Sequence, residues 1–233
     1  MQYDVVFHPK WWHKNAGIRF DSTFWDDPET RMAADRKMRR TLFEKFGEYG
    51  LGCENPENRP LLGSDMLACG WLASAVLGCG VRFAADDAPQ VMCANLSDEK
   101  ALSLAVPDID ENSVWQSVQS QIDFFMREFG KVESHINLMG VQNVALDLRG
   151  QQLFVDYYDD EDIAKDLLEV SCRTLTEIGK RLRGYTDELS SGVTSIMGKV
   201  APKVYLTSNC SVEMVSLNTY NEWLFEYDER LAR

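Results

Sequence analysis

From Arg59 onward, short runs of strand-forming residues alternate with amphipathic helical stretches, and this order constrains the fold more than any other feature of the chain. A strand, a helix and a second strand of the same sheet form a parallel, right-handed unit with its helix packed outside. The strand candidates are Arg59–Leu62, His135–Met139 and Val204–Thr207. Val81–Phe83 and Gln90–Met92 flank Asp86-Asp87-Ala88-Pro89, which is turn chemistry, and read as a small hairpin. Between the strands, Leu67–Leu77 and Ser113–Phe129 read as helices, and Ser97-Asp98-Glu99 opens a short one. In the second of these, Val114, Val118, Ile122, Phe125 and Phe129 recur at helical spacing. The acidic run Tyr158–Asp162 announces the longest helix, which reaches Arg183 and buries Ile163, Leu167, Leu168, Leu175, Ile178 and Leu182. Leu217–Leu231 is the last amphipathic stretch.

Residues 1–58 lack strand signals and read as a helical N-terminal extension, followed by a partial β/α unit over 59–233 within one domain. Its clear helix follows Asp27 as cap and Pro28 in the first turn, and runs to about Phe46. Met32, Leu42, Phe43 and Phe46 share a face, while Arg31, Arg36, Lys37, Arg39 and Arg40 make a basic face expected to be solvated. The segment holding His8 and His13 reads as irregular.

Hydrophobic residues make up 45% of the 233, enough for a real core. The formal charge of −13 repels phosphate backbones and anionic lipid, so neither nucleic acid nor a membrane surface is an expected partner. The apolar stretch from Met66 to Leu77 is too short to span a bilayer, and residues Met1–Lys14 lack the pattern of a signal peptide. The six cysteines show no paired spacing and are expected as reduced thiols in a cytoplasm.

No dinucleotide fingerprint, phosphate loop or nucleophile elbow is present, and the three histidines have no ligand-spaced partners, so no metal site is expected within these residues. In parallel β/α folds the reacting groups stand where strands end at their carboxyl side. Two loops qualify by position. One follows Met139 and carries Gly140, Gln142 and Asn143; the other follows Thr207 and carries Ser208, Asn209, Cys210 and Ser211. Their amides and hydroxyls suit the orientation of a polar ligand, and Cys210 is a thiolate candidate. The structural alternative is helix capping by Asn209 or Ser211 and a buried Cys210. His135, at a strand, is either a ligand-binding residue or a satisfied core histidine.

Three passages carry a family resemblance. They are Leu77–Phe83 with Asp86–Val91, then Gly140–Tyr158 with Leu148-Arg149-Gly150 and Asp156–Asp160, and then Ser208–Leu231. Together they resemble the uroporphyrinogen decarboxylase superfamily, which also holds cobalamin-dependent methyltransferases. The resemblance implies a TIM-barrel-type (β/α)8 fold, incomplete in this chain. It places about a third of such a barrel beyond Arg233, including a strand that carries His-x-Cys-Gly in relatives. It further implies a small-molecule substrate, with Asn209 and Cys210 in the catalytic position and Lys14, Arg19, His135, Gln142, Asn143 and Ser208 as substrate-binding residues.

The family's decarboxylases hold substrate carboxylates with an N-terminal Met-Arg-Gln-Ala-Gly-Arg-Tyr motif. Here His13–Arg19 matches it only at Ala16 and Gly17, and Lys14 replaces an arginine fork with a point charge. Asn209-Cys210 stands where the decarboxylases have Asp-Ser. The expected activity is therefore corrinoid-linked methyl transfer, with zinc and a corrinoid as cofactors of a longer protein and a corrinoid protein as partner. Tetrapyrrole decarboxylation is the alternative. A third expectation is a non-catalytic subunit completed by a second chain or by its own copy, because an open parallel sheet edge invites pairing.

Overall fold

The structure, a computed structural model, describes residues 6–67, 70–186 and 207–233. Its first layer is helical: α1 (Pro9–Ala16), α2 (Ser22–Asp26) and α3 (Pro28–Phe46), the last continued by a 3-10 turn over Gly47–Tyr49. The segment around His13 is thus a helix rather than irregular, because Pro9 starts it and Gly17 ends it in the left-handed region. The α3 boundaries agree with the sequence reading, and the Asp27 carboxylate accepts from the Glu29 and Thr30 amides.

Strand β1 (Leu61–Gly63) pairs in parallel with β4 (Glu133–His135), with Leu62 opposite Ser134 and Gly63 opposite His135. Between them lie α4 (Leu72–Val76), the antiparallel hairpin β2 (Gly80–Arg82) and β3 (Gln90–Met92), then α5 (Asp98–Ser103) and α6 (Ser113–Phe129). The single strand expected over His135–Met139 is split, and its second part, β5 (Leu138–Met139), pairs in parallel with β6 (Thr207–Ser208). Val204, Tyr205 and Leu206 lie outside the described residues. Three successive strand positions therefore run in parallel, joined by helical crossovers, and the described residues form no closed barrel.

After β5 the chain forms α7 (Val141–Arg149), α8 (Gln152–Asp159) and α9 (Glu161–Arg183). The sequence reading has no separate α8; the left-handed φ of Gly150, +71°, makes the corner that divides it from α7. All six residues of the predicted α9 stripe are buried. Asn112 caps α6 and Gly130 stops it, and its bounds are those read from the sequence, Ser113–Phe129. The terminal stretch is α10 (Leu217–Thr219) and α11 (Phe225–Ala232), joined by a π turn over Tyr220–Leu224.

The core forms two clusters. One holds Trp12, Ile18, Phe20, Phe24, Trp25 and Met38 of the N-terminal layer; the other holds the inward faces of α4, α6, α7 and α9. Trp71 packs against both. Arg31, expected on the solvated basic face of α3, is instead 1% exposed. It donates to the carbonyls of Phe24, Trp25 and Leu61 at 2.8 to 3.1 Å and to Gln121 Oε1 at 2.5 Å. One guanidinium thus ties α2, β1 and α6 together, because its fork can satisfy several carbonyls at once. Among the described residues, no helix is long and apolar enough to cross a membrane.

Candidate functional site

A cavity of about 270 Å³ lies at the carboxyl ends of β1 and β4. Gly63, His135, Ile136 and Asn137 form its floor, and α6 contributes Val114, Ser117, Val118 and Gln121. Trp25 and Asp26 of α2, Trp71 before α4, and Val81 and Phe83 of the hairpin complete the wall. Gly63 is required where the strands meet: its φ is +84°, and a Cβ there would stand 2.6 Å from the His135 carbonyl oxygen.

The cavity wall is mainly apolar and aromatic, with a few polar groups, the composition expected of a small-molecule site. Next to its floor, Asp65 is held below the ordinary carboxylate range: burial raises it, but His135 and Arg59 together outweigh that cost. Arg59 bridges Asp65 and Asp35, at 3.0 and 2.5 Å. At the rim, Asp26 is raised, chiefly by burial, against the attraction of Arg31 and a hydrogen bond with Ser117. Cys79 also borders the cavity. Burial pushes its thiol up to about 12, with further upward pressure from Asp147 and Cys93, so it is a neutral wall residue rather than a thiolate.

The structure gathers five of the sequence-derived site residues into one hydrogen-bonded region behind the strand ends. Gln142 donates to the Ser211 carbonyl at 2.6 Å and accepts from the Tyr157 hydroxyl at 3.0 Å. The Asn143 amide donates to Cys210 Sγ at 3.1 Å and its carbonyl accepts from Ser211 Oγ at 2.9 Å. Asn209 donates to Asp228 at 2.7 Å, and Ser208 donates to Asn137 Oδ1 at 3.0 Å. Neither Asn209 nor Ser211 caps a helix through its side chain. Asn137 is the bridge, since it also lines the cavity. Cys210 is exposed at this loop.

Lys14 and Arg19 are brought to neither place. Lys14 is exposed in the last turn of α1, and Arg19 pairs with Asp21 at 2.8 Å beside a shallow depression formed with α3. His135 is the one sequence-derived residue that lines the cavity. Trp25, Asp26, Trp71, Phe83 and Gln121 were missed. Their only sequence signal is the aromatic density before and after β1, which says nothing about convergence.

No protein-family model matches the chain, and no curated protein does. The fold does have a solved counterpart. A methyltransferase from Methanosarcina mazei superposes with a TM-score of 0.62 at 13% identity, over 97% of this chain and 59% of that one. The chain thus spans about three fifths of that neighbour's length. At this identity the likeness concerns the mixed α/β fold.

Among the described residues no group of three His, Cys, Asp or Glu side chains converges as metal ligands do. The cavity is also far smaller than a corrinoid ring requires.

Proposed function

We propose that this chain is the substrate-binding portion of a methyltransferase of the uroporphyrinogen decarboxylase superfamily, built on the first strands of a β/α barrel. The reading rests on one observation. A ligand-sized cavity opens at the carboxyl ends of parallel strands, in a fold shared with a methyltransferase over nearly the whole chain. In this reading the cavity binds and orients a small methyl donor or acceptor. Asn137 and Gln121 fix the polar side of the site, His135 with Asp65 holds its floor, and the aromatic wall excludes water. The methyl carrier is a corrinoid held by a partner protein. Ser208 acts as a positioning residue through Asn137, while Asn209 and Cys210 stand at the neighbouring strand end, facing the approach of that partner.

Tetrapyrrole decarboxylation has less support. No lysine or arginine lines the cavity, and Lys14 and Arg19 are elsewhere, so nothing there would neutralise several substrate carboxylates. The test is a methyl-transfer assay of the 233-residue chain with a methylated corrinoid and a small thiol, followed by corrinoid absorbance. Demethylation above the protein-free rate is expected. An unchanged rate, together with turnover of uroporphyrinogen, would replace this reading with the decarboxylase one.

A further inference from the structure

We propose that the cavity is a binding site for a methylated quaternary ammonium group, seated against Trp25, Trp71 and Phe83 with the Asp26 carboxylate at its mouth. The three rings form a corner. Trp71 stands nearly perpendicular to both others, at 80° to Trp25 and 89° to Phe83, with centroid separations of 6.3 and 5.3 Å. Trp25 and Phe83 are 6.5 Å apart and inclined at 34°. All three rings line the void, and an aromatic face attracts a cation within roughly 6 Å of its centroid. Trp25 is fixed in place, because its indole N–H donates to the Phe20 carbonyl at 3.0 Å.

The other groups around the void argue for a cation over an anion or a neutral ligand. No Lys or Arg lines it. Gln121 spends its carbonyl on Arg31 and one amide N–H on the Ser117 carbonyl, which leaves at most one neutral N–H and no positive charge to meet an anion. Ser117 is engaged with Asp26. The neighbouring charges sum in the same direction: Asp26 and Asp27 both act on Arg31, which donates to four acceptors, while Arg59 behind the floor is matched by Asp65 and Asp35. One carboxylate is left over, and it stands at the mouth. A quaternary ammonium suits such a site because it carries charge without N–H donors, for which the three rings offer no acceptor.

The inference names a substrate class for the site and rests on the methyltransferase reading for turnover, though not for binding. The test is titration of the 233-residue chain with choline, read by tryptophan fluorescence. The control is the uncharged isostere in which carbon replaces the nitrogen. Choline is expected to bind at least about ten-fold more tightly than the isostere. Asp26→Asn should remove most of that preference while leaving the circular dichroism spectrum unchanged, because Asp26 sits at the rim. Phe83→Ala should weaken choline by several-fold. Equal affinities for choline and isostere, no binding of choline, or an unaltered preference in Asp26→Asn would each overturn the proposal. Choline binding without any methyl transfer would refute the enzymatic reading alone. Transfer to a thiol without choline binding would refute only the proposed ligand.

Discussion

The cavity and the loop network behind it both draw on polar side chains, yet they use them in opposite ways. In the network, Gln142, Asn143, Tyr157 and Ser211 are joined by hydrogen bonds, Ser208 donates to Asn137, and Asn209 donates to Asp228. Gln142 is 1% exposed, so its amide has no capacity left for a ligand. Around the cavity the polar groups are fewer and the walls are rings and aliphatic side chains, which leaves a volume open. The lesson is that amide-rich loops at strand ends can be framework. The binding capacity lies where hydrogen bonding has been completed around an apolar void.

The strongest way to break this comparison is to remove the group that completes the cavity's framework. Burial lowers the Arg31 pKa to about 10, against the pull of Asp27 and Asp26, so it is a cation at neutral pH. Arg31→Met should destabilise the fold by about 3–5 kcal/mol, since it orphans four buried acceptors. Urea unfolding measures this. A loss below about 1 kcal/mol would mean that Arg31 is a bystander and that the N-terminal layer docks by apolar packing alone.

The second test concerns the network. Gly140 starts α7 with an ordinary φ of −67°, but a Cβ there would stand 2.1 Å from Asn209 Oδ1. Gly140→Ala should cost about 1–3 kcal/mol through displacement of the Asn209 loop. Choline affinity should change little, because the cavity lies on the far side of Asn137. A stable variant with weakened choline binding would show that the two regions are one site.

The helices were legible because their signals are local. Asp27-Pro28 marks a start, the apolar spacing of Ser113–Phe129 marks α6, and the α9 stripe has the period of its buried face. The split of the middle strand was not legible, since Glu133–His135 and Leu138–Met139 differ in partner rather than in propensity. Arg31 was misread for the same reason. Arg36 and Lys37 on the same helix are exposed, and only contacts 30 and 90 residues away, to Leu61 and Gln121, take Arg31 inside. Position at strand ends led to the Gln142–Ser211 loops, whereas His135, expected at the start of a strand, stands at the end of β4. Position could not separate framework from void, because the aromatic wall is assembled from α2, the residue before α4, and the hairpin.

A smaller effect sharpens the view of the network as framework. Tyr157 is 3% exposed and its hydroxyl donates to Gln142 Oε1. Tyr157→Phe should cost about 1 kcal/mol, the worth of one buried hydrogen bond, read by the shift of the thermal midpoint. It should leave choline affinity unaltered. A change in affinity without a change in stability would move Gln142 from framework to ligand contact.

The smallest effect separates a void that binds from one that carries its own nucleophile. Burial keeps Cys79 protonated far above neutrality, with a pKa near 12, while Cys93 and Cys210 are exposed. Iodoacetamide at pH 8, read by peptide mass, should label Cys93 and Cys210 first and spare Cys79. The sign of the linked stability follows from the raised value. The unfolded thiol loses its proton near pH 8.5 and the folded one near 12. Cys79 therefore leaves stability unchanged at neutral pH and lowers it progressively between those two values. Cys79→Ala should flatten that alkaline decline slightly. Rapid labelling of Cys79 at pH 8, blocked by choline, would instead place a reactive thiol inside the cavity and give the site a chemistry of its own.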